Sequence, residues 1–102
     1  MLRVVERVLG EGDVHRGGAC VARTGYELSL YRQWVDKDGQ LEPRHFEVEG
    51  HLIAPPEVLE PLLGTSAPLT LHLDAQRAVD VYLLNADGAV TSADDRGFYA
   101  RA

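Results

Sequence analysis

Cysteine is almost absent. Cys20 stands alone, so no intrachain disulfide forms and nothing in the chain calls for an oxidising compartment. Long apolar runs are missing as well: no stretch approaches the ~18 residues of a membrane-spanning helix. The opening MLRVVERVLGEG carries charges inside its apolar run and no small-residue cleavage pattern, so it does not read as a signal peptide. Cytoplasmic is the expected localisation. Basic residues are scarce after the first third. Residues 36–102 hold five bases against twelve acids, whereas residues 1–35 hold five Arg against four acids. With a net charge of −6, the chain is a poor partner for nucleic acid or anionic lipid, both of which need cationic surface.

Recognisable reaction motifs are also missing. The glycines of residues 10–18 lack phosphate-loop spacing and are followed by no Lys-Ser/Thr. No G-x-S-x-G is present, and Cys20 has no activating neighbours in sequence. DKDGQLEPRHFE, residues 36–47, imitates a calcium loop in its acids, but Leu41 occupies the position that requires glycine. No catalytic residue, cofactor or metal is assigned, and an accessory role is favoured over an enzymatic one.

What remains is a chain with 45% hydrophobic and 25% charged residues, the composition of a folded globular protein. Its 102 residues read as a single small β-rich domain, 1–102. The most regular stretch is Leu69–Ser92. Leu69, Leu71 and Leu73 alternate with Thr70, His72 and Asp74, and Val79, Val81 and Leu83 alternate with Asp80 and Tyr82. Matching these apolar faces across the Asp74–Arg77 turn pairs Leu71 with Val81. It brings His72 opposite Asp80 and Thr70 opposite Tyr82, and demands a positive φ at Gln76 or Arg77. Asn85-Ala86-Asp87-Gly88 then turns the chain into a third strand.

Earlier in the chain, three valines in residues 2–9 favour a strand over a short helix. The four glycines of residues 10–18 read as a flexible loop. Tyr26, Leu28 and Leu30 share one strand face, and Asp36-Lys37-Asp38-Gly39 predicts a hairpin with a G1 bulge. That register sets Leu30 against Phe46 and Leu28 against Val48; a plain two-residue loop is expected to bury charge. Ala54–Gly64 is the one helical piece, restricted by Pro61 to one or two short turns that plug an end of the sheet. Phe98 and Tyr99 are the apolar members of a polar tail that is otherwise expected to fray over about 94–102.

The fold class is therefore all-β with one short helix: a small antiparallel barrel or sandwich of five to seven strands built from hairpins. If residues 18–35 form one long bent strand, the element order is three strands, a helix and two strands. That order resembles the OB-type barrel, and the resemblance implies a closed sheet.

Three groups are candidate sites. Thr70, His72, Asp80 and Tyr82 share the polar face of the Leu69–Ser92 meander and form a candidate ligand-binding set. His45, Glu47, Glu49 and His51 alternate along another polar face, where a solvated surface outweighs metal binding. Tyr31, Arg32 and Trp34 join aromatic rings to a guanidinium, a combination enriched at interfaces, with Trp34 expected to be mostly core. The leading reading is a small binding or accessory domain that acts through a protein partner or through self-association, as a homodimer at an exposed sheet edge. The alternative is a small-molecule-binding barrel or enzyme working around His72, Asp80 and Tyr82.

Overall fold

The computed structural model describes residues 1–64 and 66–101. Three long strands open the chain: β1 (Leu2–Arg16), β2 (Ala19–Lys37) and β3 (Gln40–Ile53), paired antiparallel in sequence order. The valines of residues 2–9 take the extended form they favour. Residues 10–16 continue that strand and are not the loop their glycines suggest. The turn is confined to Gly17 and Gly18, whose positive φ values of 59° and 83° fit a two-residue type I′ hairpin. Gly12 serves another purpose. The backbone at His72 comes up against it, and a Cβ on Gly12 would run into the His72 carbonyl oxygen.

The second hairpin also departs from expectation. Lys37 pairs with Gln40, and Asp38 (φ 54°) and Gly39 (φ 81°) form a plain two-residue turn without a G1 bulge. The extra residue lies further along, where Arg44 and His45 of β3 face Gln33 alone. Beyond it Leu30 meets Val48, Leu28 meets Gly50 and Tyr26 meets Leu52. The apolar faces coincide as expected, two residues further along β3. The bulge corrects the side-chain parity that the turn leaves wrong.

After β3, α1 (Pro56–Leu59) passes into a 3₁₀ turn, Glu60–Leu62, which tolerates Pro61 where a regular helix would not. Leu59 and Leu62 enter the core, and Arg16 donates to the Leu62 carbonyl at 2.7 Å. Four strands follow: β4 (Leu69–His72), β5 (Arg77–Leu83), β6 (Ala89–Ser92) and β7 (Tyr99–Ala100). The OB-like order allowed two. The hairpin at Asn85–Gly88 inserts β6 between β5 and β3, and β7 adds to β5. Since β4 pairs with both β1 and β5, the seven strands form one antiparallel sheet in a ring.

The β4–β5 register is shifted by two residues from the expected one: Leu69 meets Val81 and Leu71 meets Val79. Among the described residues, Asp38 is the sole non-glycine with positive φ, so neither Gln76 nor Arg77 is strained. Asp74 removes the need. One of its carboxylate oxygens accepts the Gln76 and Arg77 amides, each at 2.7 Å, and Leu73 N–H closes the loop on the Arg77 carbonyl.

The ring encloses the core. Val14, Leu28, Val48, Leu52, Leu59, Leu69, Leu71, Val79 and Val81 are all but inaccessible, each contributing about 1.5–3 kcal/mol by burial. The tail is held rather than frayed. Phe46 N–H donates to the Asp95 carbonyl, Phe98 packs against the core, and β7 pairs with β5 at Arg77 and Ala78. Ala102, the last residue of that expected tail, lies outside the described residues. No helix among the described residues is long and apolar enough to cross a membrane.

Candidate functional site

Alternation along β4 and β5 turns Thr70, His72, Asp80 and Tyr82 away from the core, as their polarity requires. The two-residue shift regroups them. Thr70 faces Asp80 and His72 faces Ala78, so the expected His72–Asp80 and Thr70–Tyr82 pairs do not exist. Tyr82 sits exposed opposite Thr91. Asp80 instead gathers three donors: Thr70 Oγ1 at 2.8 Å, the Tyr99 hydroxyl at 2.6 Å and Arg96 at 2.7 Å. The Arg96 guanidinium also lies over the Tyr99 ring, 3.9 Å from its centroid. Burial, reinforced by the Asp80 carboxylate, pushes the Tyr99 hydroxyl pKa up, so it remains a proton donor to Asp80. Such a group fastens the tail to β5 and offers no imidazole to a substrate.

His72 is drawn to a different neighbour. Its ring stacks on that of His15 with centroids 4.0 Å apart and planes 26° apart. Burial lowers its pKa, aided by His15 and Arg101. Asp13 and His15 are both on the outer side of β1, and Cys20 lies directly across from His15 on β2. One ligand atom from each of Asp13, His15 and Cys20 comes within 4.8 Å of the other two. Sequence reading missed this trio because it made residues 10–18 a loop. The overlooked signal was Gly17-Gly18: read as a type I′ turn, it places His15 beside Cys20.

On the His45–His51 face, His45 Nε2 lies 3.1 Å from Glu47 Oε1. No three of its groups converge on a common point among the described residues. His45 and Glu47 line an open groove with Ser92, Asp94 and Asp95, and a second groove runs between Glu49–His51 and Leu84. Neither groove includes His72, Asp80 or Tyr82.

No family model matches the chain, nor does any curated protein or solved structure. Function has to be read from its surfaces.

Tyr31, Arg32 and Trp34 are all half-buried, and Trp34 lies outside the core it was expected to join. Trp34 shares both backbone hydrogen bonds with Met1, and Arg32 covers Phe46 at 4.3 Å. Three of the other Arg residues of the first third are engaged separately with neighbours. Arg16 holds the Leu62 carbonyl, Arg23 pairs with Asp13 at 2.9 Å, and Arg3 stands over Trp34.

Most conspicuous is the outer edge of β1. β4 pairs with it at Val14 and His15, leaving the edge from Leu2 to Asp13 without a strand partner among the described residues. Leu2, Val4, Val5 and Leu9 are exposed along it, Leu9 to 73%. The distal edge of β3 is different, being blunted by Glu42, Pro43 and Arg44, residues that obstruct further pairing.

Proposed function

We propose that this protein works by self-association, a second copy adding its β1 to the open β1 edge in antiparallel register. The observation that supports this reading is the contrast between the two free edges: that of β1 has no proline and exposes Leu2, Val4, Val5 and Leu9 between its charged residues, whereas that of β3 carries Glu42, Pro43 and Arg44 in succession. Side-chain chemistry selects one register. Centring the dyad on Arg7 or Glu6 sets like charges face to face, and centring it on Val8 sets Leu9 against Arg7. Centring it on Leu9 pairs the two Leu9 side chains and sets Arg7 of each copy against Glu11 of the other. The same edge would accept an extended segment of another protein, a mode that also relies on main-chain bonds.

Analytical ultracentrifugation tests the reading. Wild type is expected to dimerise with concentration, Leu9→Lys and Arg7→Glu to be monomeric, and Arg7→Glu with Glu11→Arg to recover the dimer. Leu41→Lys, on the guarded side, should change nothing. A wild-type protein that stays monomeric up to about 1 mM, the weak end of measurable affinities, overturns the proposal.

A further inference from the structure

We propose that Asp13, His15 and Cys20 form a divalent transition-metal site on the outer face of the β1–β2 hairpin, with zinc-like ligand preference and one coordination position open to solvent. Three observations bring this together. The donors are held by the sheet rather than by loops: Asp13 and His15 are alternate residues of one strand, and Cys20 is the cross-strand partner of His15. Their ligand atoms already lie within 4.8 Å of one another. Tetrahedral coordination, with bonds of about 2.0–2.3 Å, needs them roughly 1 Å closer, a change within reach of side-chain rotation.

The third observation is the β2 bulge. The β1–β2 register slips between Val14 and His15, leaving Val21 as the extra residue beside Cys20. Bulges of this kind re-aim side chains and recur next to functional sites. The stack of His72 on His15 fixes the plane of the His15 imidazole, an outer-shell role that pre-orients a metal-binding nitrogen. With the ring planes only 26° apart, the two imidazoles do not both aim a lone pair at one ion, so His72 supports the site and is not a ligand.

The donor set O, N and S suits a borderline-soft ion such as Zn²⁺ and is a poor match for Ca²⁺ or Mg²⁺. Three protein ligands leave a fourth position for water, the arrangement of open rather than structural zinc sites. Binding is not redox chemistry: Cys20 coordinates as thiolate and its proton passes to buffer. Two contacts oppose binding, the first being that the Cys20 thiol donates to the Ala22 carbonyl at 3.6 Å, a bond lost when the thiolate forms. In the second, Arg23 holds Asp13 at 2.9 Å, so the ion has to displace a guanidinium from that carboxylate.

The test is titration of the reduced full-length protein with Co²⁺ and Zn²⁺. A near-ultraviolet thiolate-to-cobalt band together with intense tetrahedral visible bands is expected, both displaced by Zn²⁺. Cys20→Ser, at an exposed position, should fold normally and lose the thiolate band. His15→Ala should lower affinity by more than the ~10–100-fold typical of an outer-shell residue. Arg23→Ala should raise affinity, a gain that a fortuitous surface thiol would not show. Absence of the thiolate band in folded wild type overturns the proposal, as does a Cys20→Ser variant that binds Co²⁺ with wild-type spectra. An Arg23→Ala variant with unchanged affinity removes Asp13 from the ligand set and overturns the three-donor site.

Discussion

Asp80 shows how much one side chain holds in this protein. It is partly buried and accepts from Thr70, Tyr99 and Arg96. Replacing it with Ala leaves the Thr70 and Tyr99 hydroxyls without their partner. The loss of a buried acceptor costs about 1–3 kcal/mol, and the more exposed Arg96 pair adds little. Urea denaturation of Asp80→Ala should show a drop near 2 kcal/mol on that basis, and an unchanged midpoint would mean the network is ornamental. Asp74 makes the corresponding case for pH. The Gln76 and Arg77 amides, followed by the Arg77 guanidinium, hold its carboxyl below the usual carboxylate range. Its stabilising effect is complete above the ordinary value near pH ~3.9 and is lost as pH falls through the lower folded value. Asp74→Asn keeps a hydrogen-bond acceptor but not the charge. Its stability should fall less steeply below pH ~4 than that of wild type, and parallel curves would contradict this account.

Individual elements were legible in the sequence to different degrees, for physical reasons. The inner sets Tyr26–Leu28–Leu30 and Leu69–Leu71–Leu73 show plainly, because a half-buried strand repeats with period two. Register was not legible, because parity can be corrected anywhere along a ladder. At the second hairpin the correction falls at Arg44–His45, far from the turn, and at Asp74–Arg77 a carboxylate replaces the strained residue. Each slip moved pairs by two, which preserved the core and scrambled the polar face: His72 loses Asp80 as a partner, whereas Leu71 only exchanges Val81 for Val79, one apolar residue for another. Glycine misled most. Gly12 is a contact residue, whereas Gly39 is a turn residue, and substitution distinguishes them. Gly39→Ala meets no atoms but must occupy the left-handed region, a cost of about 1–2 kcal/mol. Gly12→Ala drives a methyl into the His72 carbonyl and should cost at least the ~1–3 kcal/mol of overpacking, while increasing amide exchange at Leu71. Equal losses with no change at Leu71 would refute the close-approach reading.

The whole molecule is elongated, 50 × 28 × 24 Å, because the β1–β2–β3 meander extends past the ring as an arm. The core residues lie in the ring, and the arm around Val35–Leu41 contributes none of them. Hydrogen exchange should therefore report two classes of amide, fast in the arm around Lys37 and Gln40 and slow at Val14, Val79 and Val81. Protection that appears at Leu9, whose amide faces the open edge while that of Val8 faces β2, only at high protein concentration would mark the edge as the contact between copies. Uniform protection at all concentrations would argue against both the arm and the contact.

The narrow join between β1 and β4 also bears on the order in which the molecule assembles. Among the described residues the two strands pair only at Val14–Leu71 and His15–Thr70, far apart in sequence, whereas both long hairpins connect immediate neighbours. Hairpins form in about 1–10 μs, but a distant join must first meet the entropy of closing the intervening chain. Closure is then the slow event. Truncating Leu71 to Ala should slow refolding in stopped-flow measurements, and truncating Leu41 should leave the refolding rate unchanged. Until that join forms, the β1 edge lies open along its whole length, so encounters between nascent chains compete with closure, and dilute refolding should give the higher yield of native protein.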